Sequence, residues 1–307
     1  MKSVVIASGK GGTGKTTVTA AFAHLAAEHY RLVVADTDVE ASNLPLALHP
    51  HDVSCEAFSG GAKAGVDAQI CTQCGLCEDT CRFGAVSRSP QGAFRVNLFL
   101  CEGCTRCALL CPVGAVAMMP SAVGEACSGE SATGPVAFGQ LGPGEDLSGR
   151  LVTEVRRLAA NAAERTDADL VLIDGPPGVG CPLIAAVSGT DLVIAVAEPS
   201  VSGAHDLERL VELAEHLRLP VSVILNKTGL SEDGAMRIRA MCESRGLKLV
   251  AELPFDEAMA TFLETLAQGD IGRVLDQSSF GQKIADAWRA IEKDLRLGVG
   301  PCEPAGS

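Results

Sequence analysis

The chain has 307 residues, 47 % of them hydrophobic but only 4 % aromatic, so a sizeable core can form and must be built mainly from Ala, Val, Leu and Ile. A formal net charge of −13 excludes the sequence-wide attraction to phosphate backbones or anionic lipid that clustered Lys and Arg supply, so neither direct nucleic-acid binding nor a direct membrane anchor is expected. The apolar start Val4-Val5-Ile6-Ala7 is cut short by Gly9-Lys10-Gly11-Gly12, and no apolar run approaches the ~20 residues of a membrane span. With thirteen cysteines, this points to a cytoplasmic chain whose cysteines bind metal rather than form disulfides.

In chain order, Ser3 to Ala7 reads as a buried strand, followed by a Gly-rich turn and an Ala-rich helix from about Thr16 to Glu28. Leu32 to Ala35 is a second strand, ending in Asp36-Thr37-Asp38. From about His49 the alternation stops, and residues 66–119 are dominated by cysteines. The Gly- and Ser-rich stretch from Ser121 to Gly149 has no periodicity and reads as a connector. Alternation then resumes with a helix near 151–164, strands at 170–173 and 192–196, helix 203–217, strand 221–225, helix 233–245, a short strand at 249–253 and C-terminal helices to about Leu297. The expected organisation is one α/β domain in two segments, 1–60 and 141–297, with an insert at 61–120, a connector at 121–140 and a flexible tail at 298–307. Alternating units on both sides of the insert imply one doubly wound, mostly parallel sheet.

Gly9-Lys10-Gly11-Gly12-Thr13-Gly14-Lys15-Thr16 fits G-x-x-x-x-G-K-[ST] between a predicted strand and a predicted helix, the context a P-loop requires. Backbone N–H groups of Gly11, Gly12, Thr13 and Gly14, with Lys15, Thr16 and Thr17 at the helix start, would surround the phosphates of ATP. Lys15 would neutralise the β and γ phosphates and Thr16 would offer its hydroxyl to Mg²⁺.

Lys10, just after the first glycine, makes this the deviant Walker A pattern, and here the sequence resembles the MinD/Mrp/ParA family, which includes the nitrogenase iron protein. The resemblance implies a slow, partner-stimulated ATPase that dimerises on ATP, as a homodimer or with a paralogue, with Lys10 reaching the partner's nucleotide. Asp36 to Leu44 resembles the family's first switch, which gives Asp38 the task of orienting the attacking water; phosphoryl transfer needs such positioning more than covalent chemistry. Leu172-Ile173-Asp174-Gly175-Pro176-Pro177-Gly178 resembles the Walker B strand and second switch, with Asp174 behind Mg²⁺. Asn226 resembles the adenine-contacting asparagine, and Pro254-Phe255-Asp256 the loop over the base, so Pro254 and Asp256 join the nucleotide set. Glu198-Pro199 also matches the family, without a clear role.

Cys71-x2-Cys74-x2-Cys77-x3-Cys81 repeats 30 residues later as Cys101-x2-Cys104-x2-Cys107-x3-Cys111, and Gly84-Ala85-Val86 recurs as Gly114-Ala115-Val116. The spacing is similar to that of bacterial two-cluster ferredoxins, in which three thiolates of one run and the fourth of the other share a cluster. That resemblance implies a small ferredoxin-like α+β domain with two [4Fe-4S] clusters, one on Cys71, Cys74, Cys77 and Cys111, the other on Cys101, Cys104, Cys107 and Cys81. Pro112 follows the second run as that pattern expects, whereas Arg82 follows the first. A pair of structural zinc sites is the alternative, although those usually use two separated C-x2-C pairs.

Outside the runs, Cys242 reads as a small buried hydrophobe and Cys302 as part of the tail. Cys181, soon after Asp174, sits at an offset similar to that of a cluster-bridging cysteine in the nitrogenase iron protein; the competing reading is a packed thiol at a helix start. Several functions stay open. The chain could gate electron transfer to a redox or metalloprotein partner by ATP, act as an Mrp-like cluster scaffold or carrier, or position cargo as MinD and ParA do with the clusters as structure or sensor. The overall pattern resembles MinD-superfamily ATPases with an inserted ferredoxin domain. Some of these accompany orange-protein-type molybdenum-binding proteins, and their post-insert segment is similar to Leu141 to Arg150 here.

Overall fold

Val4, Val5, Ile6 and Ala7 are fully buried in β1 (Lys2–Ser8), the continuous apolar run of a strand covered on both faces. A computed structural model places β1 between β8 (Leu170–Pro177) and β9 (Leu192–Ala197), parallel to both. β2 (Leu32–Asp36) pairs parallel with β8, while β10 (Val221–Thr228) and β11 (Lys248–Pro254) continue the parallel sheet beyond β9. With β3 (His51–Val66), β6 (Val116–Ser131) and β7 (Gly134–Leu141), the order is β11-β10-β9-β1-β8-β2-β7-β6-β3. The structure describes residues 1–90, 92–145, 148–255, 275 and 279–297.

The helices that cover the sheet are α1 (Lys15–Ala27), α5 (Ser148–Thr166), α6 (Cys181–Val187), α7 (Val201–His216), α8 (Glu232–Arg245) and α9 (Ser279–Leu295). Ser200 and Ser231 cap α7 and α8 by accepting N–H bonds from Gly203 and Gly234, which starts each helix where its amphipathic pattern begins. Phe22 of α1 meets Trp288 of α9 with ring centroids 5.2 Å apart, anchoring one face of the core.

Two compact units are present. The first comprises Met1–Cys55, Ala126–Gln140 and the described residues from Ser148 onward; the second comprises Glu56–Glu125 and the segment that begins at Leu141. Two expectations change here. Residues 121–140, read as a connector, form the second half of β6 and most of β7, joined by a two-residue turn. Their Ala, Gly and Ser content gives little strand propensity, but β7 pairs parallel with β2, burying Val136 and Ala137. The cysteines are not all reserved for metal either. Cys55 and Cys127, 72 residues apart, form a disulfide across the neighbouring strands β3 and β6, with Cα atoms 4.1 Å apart.

The second unit displays the sequence repeat as structure. α3 (Leu76–Asp79) and β4 (Val86–Arg88) are followed by β5 (Phe94–Val96) and α4 (Arg106–Leu110), and β4 pairs antiparallel with β5. The Asp67 N–H donates to the Ala115 carbonyl at 2.8 Å, and 30 residues on, the Asn97 N–H donates to the Ala85 carbonyl at 2.7 Å. Each half therefore closes on the other by the same bond.

Gly134 ends the turn between β6 and β7 with φ +117°, and a Cβ there would stand 2.2 Å from the Leu32 carbonyl oxygen. Gly134→Ala is expected to destabilise the first unit by at least about 1–3 kcal/mol, the range for a residue forced into that region of φ/ψ space. Urea unfolding with the disulfide intact reads the loss; an unchanged midpoint would mean that β7 does not register on β2.

Candidate functional site

α1 begins at Lys15 with Gly14 as N-cap at φ 93°, and no side chain caps its first turn. Among the described residues, a Cβ added at Gly11 or Gly12 would meet nothing within 4 Å, so this side of the loop is open, and the buried Thr13 hydroxyl has no hydrogen-bond partner. Open backbone donors at a helix N-terminus, with an unpartnered hydroxyl and a buried lysine, fit a polyphosphate.

The loop is held from below by one carboxylate. Thr16 Oγ1 donates to Asp174 Oδ2 at 2.7 Å and Thr19 Oγ1 to Asp174 Oδ1 at 2.9 Å, while the Thr37 hydroxyl donates to the Asp174 carbonyl at 2.6 Å. Asp174 sits in register with Asp36 on the neighbouring strand. Asp36 is fully buried and accepts from Asp38 N, Ser42 Oγ and Leu44 N at 3.0, 2.8 and 3.1 Å, which folds the first switch around it. Burial pushes Asp36 well above the usual carboxylate range, and the neighbouring Asp174 adds to the shift. Asp174 is pushed up to about 6 by burial, which outweighs the opposing pull of Lys15. Lys15 is 5 % exposed, with Nζ 4.0 Å from Asp38 Oδ2; burial raises Asp38 too, partly offset by Lys15.

Lys10 is engaged within its own chain. Its Nζ lies 2.5 Å from Glu198 Oε1, 3.2 Å from Ser200 Oγ and 3.0 Å from Ser202 Oγ. Lys227 Nζ donates to the Gly12 carbonyl at 2.5 Å and lies 3.3 Å from Glu198 Oε2. Burial opposes ionisation of Glu198, but the two lysines prevail and hold its carboxyl below the usual range. Asn226 Nδ2 donates to the Thr13 carbonyl at 2.8 Å, so Asn226 and Lys227 together pin the loop to the end of β10. Pro254 registers with Thr228, placing it at the same end of the sheet, while Asp256 lies outside the described residues, as does Cys302. Asp36, Glu198, Lys227 and Thr19 complete the site beyond the motif positions. Asp36 and Glu198 lie in segments that resemble the family without a role being assigned to them there, and Lys227 and Thr19 are marked only by their proximity to a strand end and to the loop.

In the second unit the eight run cysteines are free thiols, and their exposure repeats at the offset of 30: Cys74 and Cys104 exposed, Cys77 and Cys107 buried, the other four intermediate. One cavity is lined by Cys71, Cys74, Cys77 and Cys111, another by Cys81, Cys101, Cys104 and Cys107. Backbone N–H groups donate to sulfur in both: Gln73 to Cys71, Ala115 to Cys111, Ala64 to Cys101 and Ala85 to Cys81, at 3.2–3.5 Å. At Cys81 burial opposes ionisation, yet the N–H groups of residues 83–86 outweigh it and lower the thiol; residues 113–116 do the same at Cys111. Cys77 and Cys107 are raised by burial. Arg82, which stands where the second run has Pro112, places its guanidinium 4.8 Å above the Phe83 ring. These donor sets fit two four-thiolate cofactors. Cys181 is the first residue of α6 and is exposed, so the packed-thiol reading does not hold; Cys242 is buried in α8 as expected.

The phosphate loop, its carboxylate anchor and the parallel sheet define a P-loop nucleotide-binding protein. Residues 4–266 match the CobQ/CobB/MinD/ParA nucleotide binding domain, and the chain belongs to that family. It is 33 % identical over 228 residues to the uncharacterised protein MJ0578 of Methanocaldococcus jannaschii, spanning 74 % of this chain and 79 % of that one. Among solved structures, it is similar to the septum site-determining protein MinD of Pyrococcus horikoshii complexed with Mg-ADP, with a TM-score of 0.56 and 21 % identity over 96 % of this chain and 97 % of that one. It is likewise similar to an ATP complex of Cyanothece McdA, with a TM-score of 0.54 and 20 % identity over 97 % of each chain. At these identities the likeness establishes the fold. Among the described residues, no helix is long and apolar enough to cross a membrane.

A carboxyl raised above its unfolded value holds its proton more tightly in the native state. The stability Asp174 contributes is therefore fullest at low pH and is lost as pH rises from about 4, its unfolded value, through about 6. Asp174→Asn cannot ionise, so it is expected to gain on the wild type in thermal unfolding of nucleotide-free protein as pH is raised from about 5 to about 7.5. A constant difference across that range would mean that the carboxylate is charged throughout.

Proposed function

We propose that this chain is an ATP-hydrolysing, ATP-dependently dimerising iron-sulfur protein that couples its nucleotide state to electron transfer or metal-cluster handling on a partner protein. One observation carries the reading: a chain with an open phosphate loop also holds two cavities, each lined by three thiols of one run and the fourth thiol of the other. Each bound [4Fe-4S] cluster would supply a one-electron couple. Cys71, Cys74, Cys77 and Cys111 hold the first and Cys101, Cys104, Cys107 and Cys81 the second. The backbone N–H groups at Cys81 and Cys111 favour the thiolates such ligation needs.

On the nucleotide side, loop N–H groups and Lys15 would hold the phosphates, and Thr16 would offer its hydroxyl oxygen to Mg²⁺ while its O–H donates to Asp174. Asp38, beside Lys15, orients the water that attacks the γ phosphate. Lys10 adds positive charge to the partner's phosphates only after leaving Glu198, Ser200 and Ser202. Asp38 and Asp174 are tied through Asp36 and Thr37, so the γ phosphate acts on both switches together.

A second reading rests on the fold shared with MinD and McdA: the ATPase cycle positions cargo, and the thiol-lined unit is structure or sensor. In both, Lys10→Ala is expected to keep nucleotide binding while losing ATP-dependent dimerisation and lowering turnover by ~10²-fold, the scale of one preorganised charge contact. Light scattering with a phosphate-release assay measures this, and normal dimerisation by that variant would overturn the role of Lys10.

For the thiol sites, anaerobically prepared protein is expected to contain about eight iron and eight sulfide per chain, two four-iron clusters. Zinc in their place would sink the iron-sulfur reading. EPR spectra of the reduced protein with and without MgATP separate the two functions: a nucleotide-dependent spectrum or reduction rate supports coupling, and identical behaviour favours the positioning ATPase.

A further inference from the structure

The thiol-lined unit is a repeat, yet its halves do not carry equivalent charges. The offset that relates Asp67 to Asn97 also relates Lys63 to Ala93 and Glu102 to Thr72. Among the described residues, no ionisable side chain apart from the cysteines lines the cavity of Cys71, Cys74, Cys77 and Cys111. The other thiol cavity is lined by Glu102, and an adjoining cavity shares Cys101 and Glu102 with it and is lined also by Lys63, Phe99 and Glu145.

Lys63 and Glu145 form an ion pair at 2.7 Å, and their side chains are only 15 % and 18 % exposed. Ala64, next to Lys63, donates its N–H to Cys101 Sγ at 3.5 Å, so the pair stands alongside that thiol. Glu145 is held there by a local fold, with Gly142 N donating to the Val123 carbonyl and Glu145 N to the Gly142 carbonyl, at 2.8 and 3.2 Å. This gives a task to the post-insert segment, whose motif the nucleotide site does not use.

Largely withdrawn from water, the pair's charges are weakly screened. A cluster gains negative charge when it accepts an electron, so a nearby cation favours the reduced form and a nearby anion opposes it. We propose that Lys63 and Glu145 are positioning residues that set the reduction potential of the cluster on Cys101, Cys104, Cys107 and Cys81. They make it unequal to its pseudo-symmetric twin, so that electrons from a one-electron reductant fill the two clusters in a fixed order. This rests on the cluster loading proposed above.

The test is a potentiometric titration of the full-length holoprotein with dithionite as reductant, followed by EPR. The signal of the Cys101 cluster is assigned by its change in Cys104→Ser. Lys63→Met leaves Glu145 and Glu102 uncompensated and is expected to shift that cluster's reduction equilibrium at least about tenfold toward the oxidised form, about 59 mV for a one-electron couple. Glu145→Gln leaves Lys63 unpaired and shifts it the opposite way. The double variant removes the asymmetry of the pair, so its Cys101 cluster moves toward the potential of the other cluster and the gap between the two narrows; Lys63→Arg stays at the wild-type value, and the other cluster does not move. Equal shifts in both clusters, shifts of the same sign in the two single variants, or a Lys63→Arg shift as large as that of Lys63→Met would each overturn the proposal. Wild-type protein without iron and sulfide would instead overturn the loading on which it rests.

Discussion

A buried carboxylate must find its hydrogen bonds in the protein, and Asp174 finds them on the helix that follows the phosphate loop and on the segment that follows β2. Its two oxygens accept from Thr16 and Thr19 on α1, and its carbonyl accepts from the Thr37 hydroxyl in the first switch. The strand that supplies Asp174 also supplies the second switch, since β8 runs on to Pro177. The phosphate-loop helix and both switches thus meet at one residue. Asp36 opposite it adds a second buried carboxyl, whose three hydrogen bonds shape the loop through Leu44. Burial is the main reason both carboxyls stand above the usual range, and the neighbouring Asp174 adds to the shift at Asp36, while Lys15 pulls Asp174 the other way.

In the second unit the organising constraint is closure of one half on the other. Neither run of cysteines closes a four-thiol cavity alone; each takes its fourth wall from the opposite run. The reciprocal bonds from Asp67 to Ala115 and from Asn97 to Ala85 hold the runs at that distance. Left-handed turns at Gly84 and Gly114 bend the backbone after Cys81 and Cys111, so that four consecutive N–H groups are brought to bear on each sulfur.

What was legible in the sequence was local or periodic. The phosphate loop announces itself because glycine, lysine and threonine must occur at fixed spacing, and the repeat because eight cysteines recur at one offset. The buried strands read as continuous apolar runs because both of their faces are covered. Features that depend on distant pairing stayed hidden. β6 and β7 have weak strand composition and owe their form to a sheet edge supplied by β2. The Cys55–Cys127 bond depends on β3 lying beside β6, which no spacing rule reveals. Glu198 matters because Lys10 and Lys227, 188 and 29 residues away in the chain, converge on it.

On the function proposed, a chain with 38 acidic and 25 basic residues has to hold two kinds of strongly anionic group, a polyphosphate and two thiolate-ligated clusters. Bulk charge opposes both, so the favourable field has to be local. The first unit makes it from the uncapped start of α1, the loop glycines and the buried Lys15 beside Asp38. The second unit makes it almost wholly from backbone N–H groups aimed at sulfur, with no lysine or arginine lining either thiol cavity. Backbone donors add no net charge and are fixed by the fold, so the two thiol cavities start from nearly the same electrostatics. What distinguishes one from the other is then Glu102 in its lining and the Lys63–Glu145 ion pair beside it.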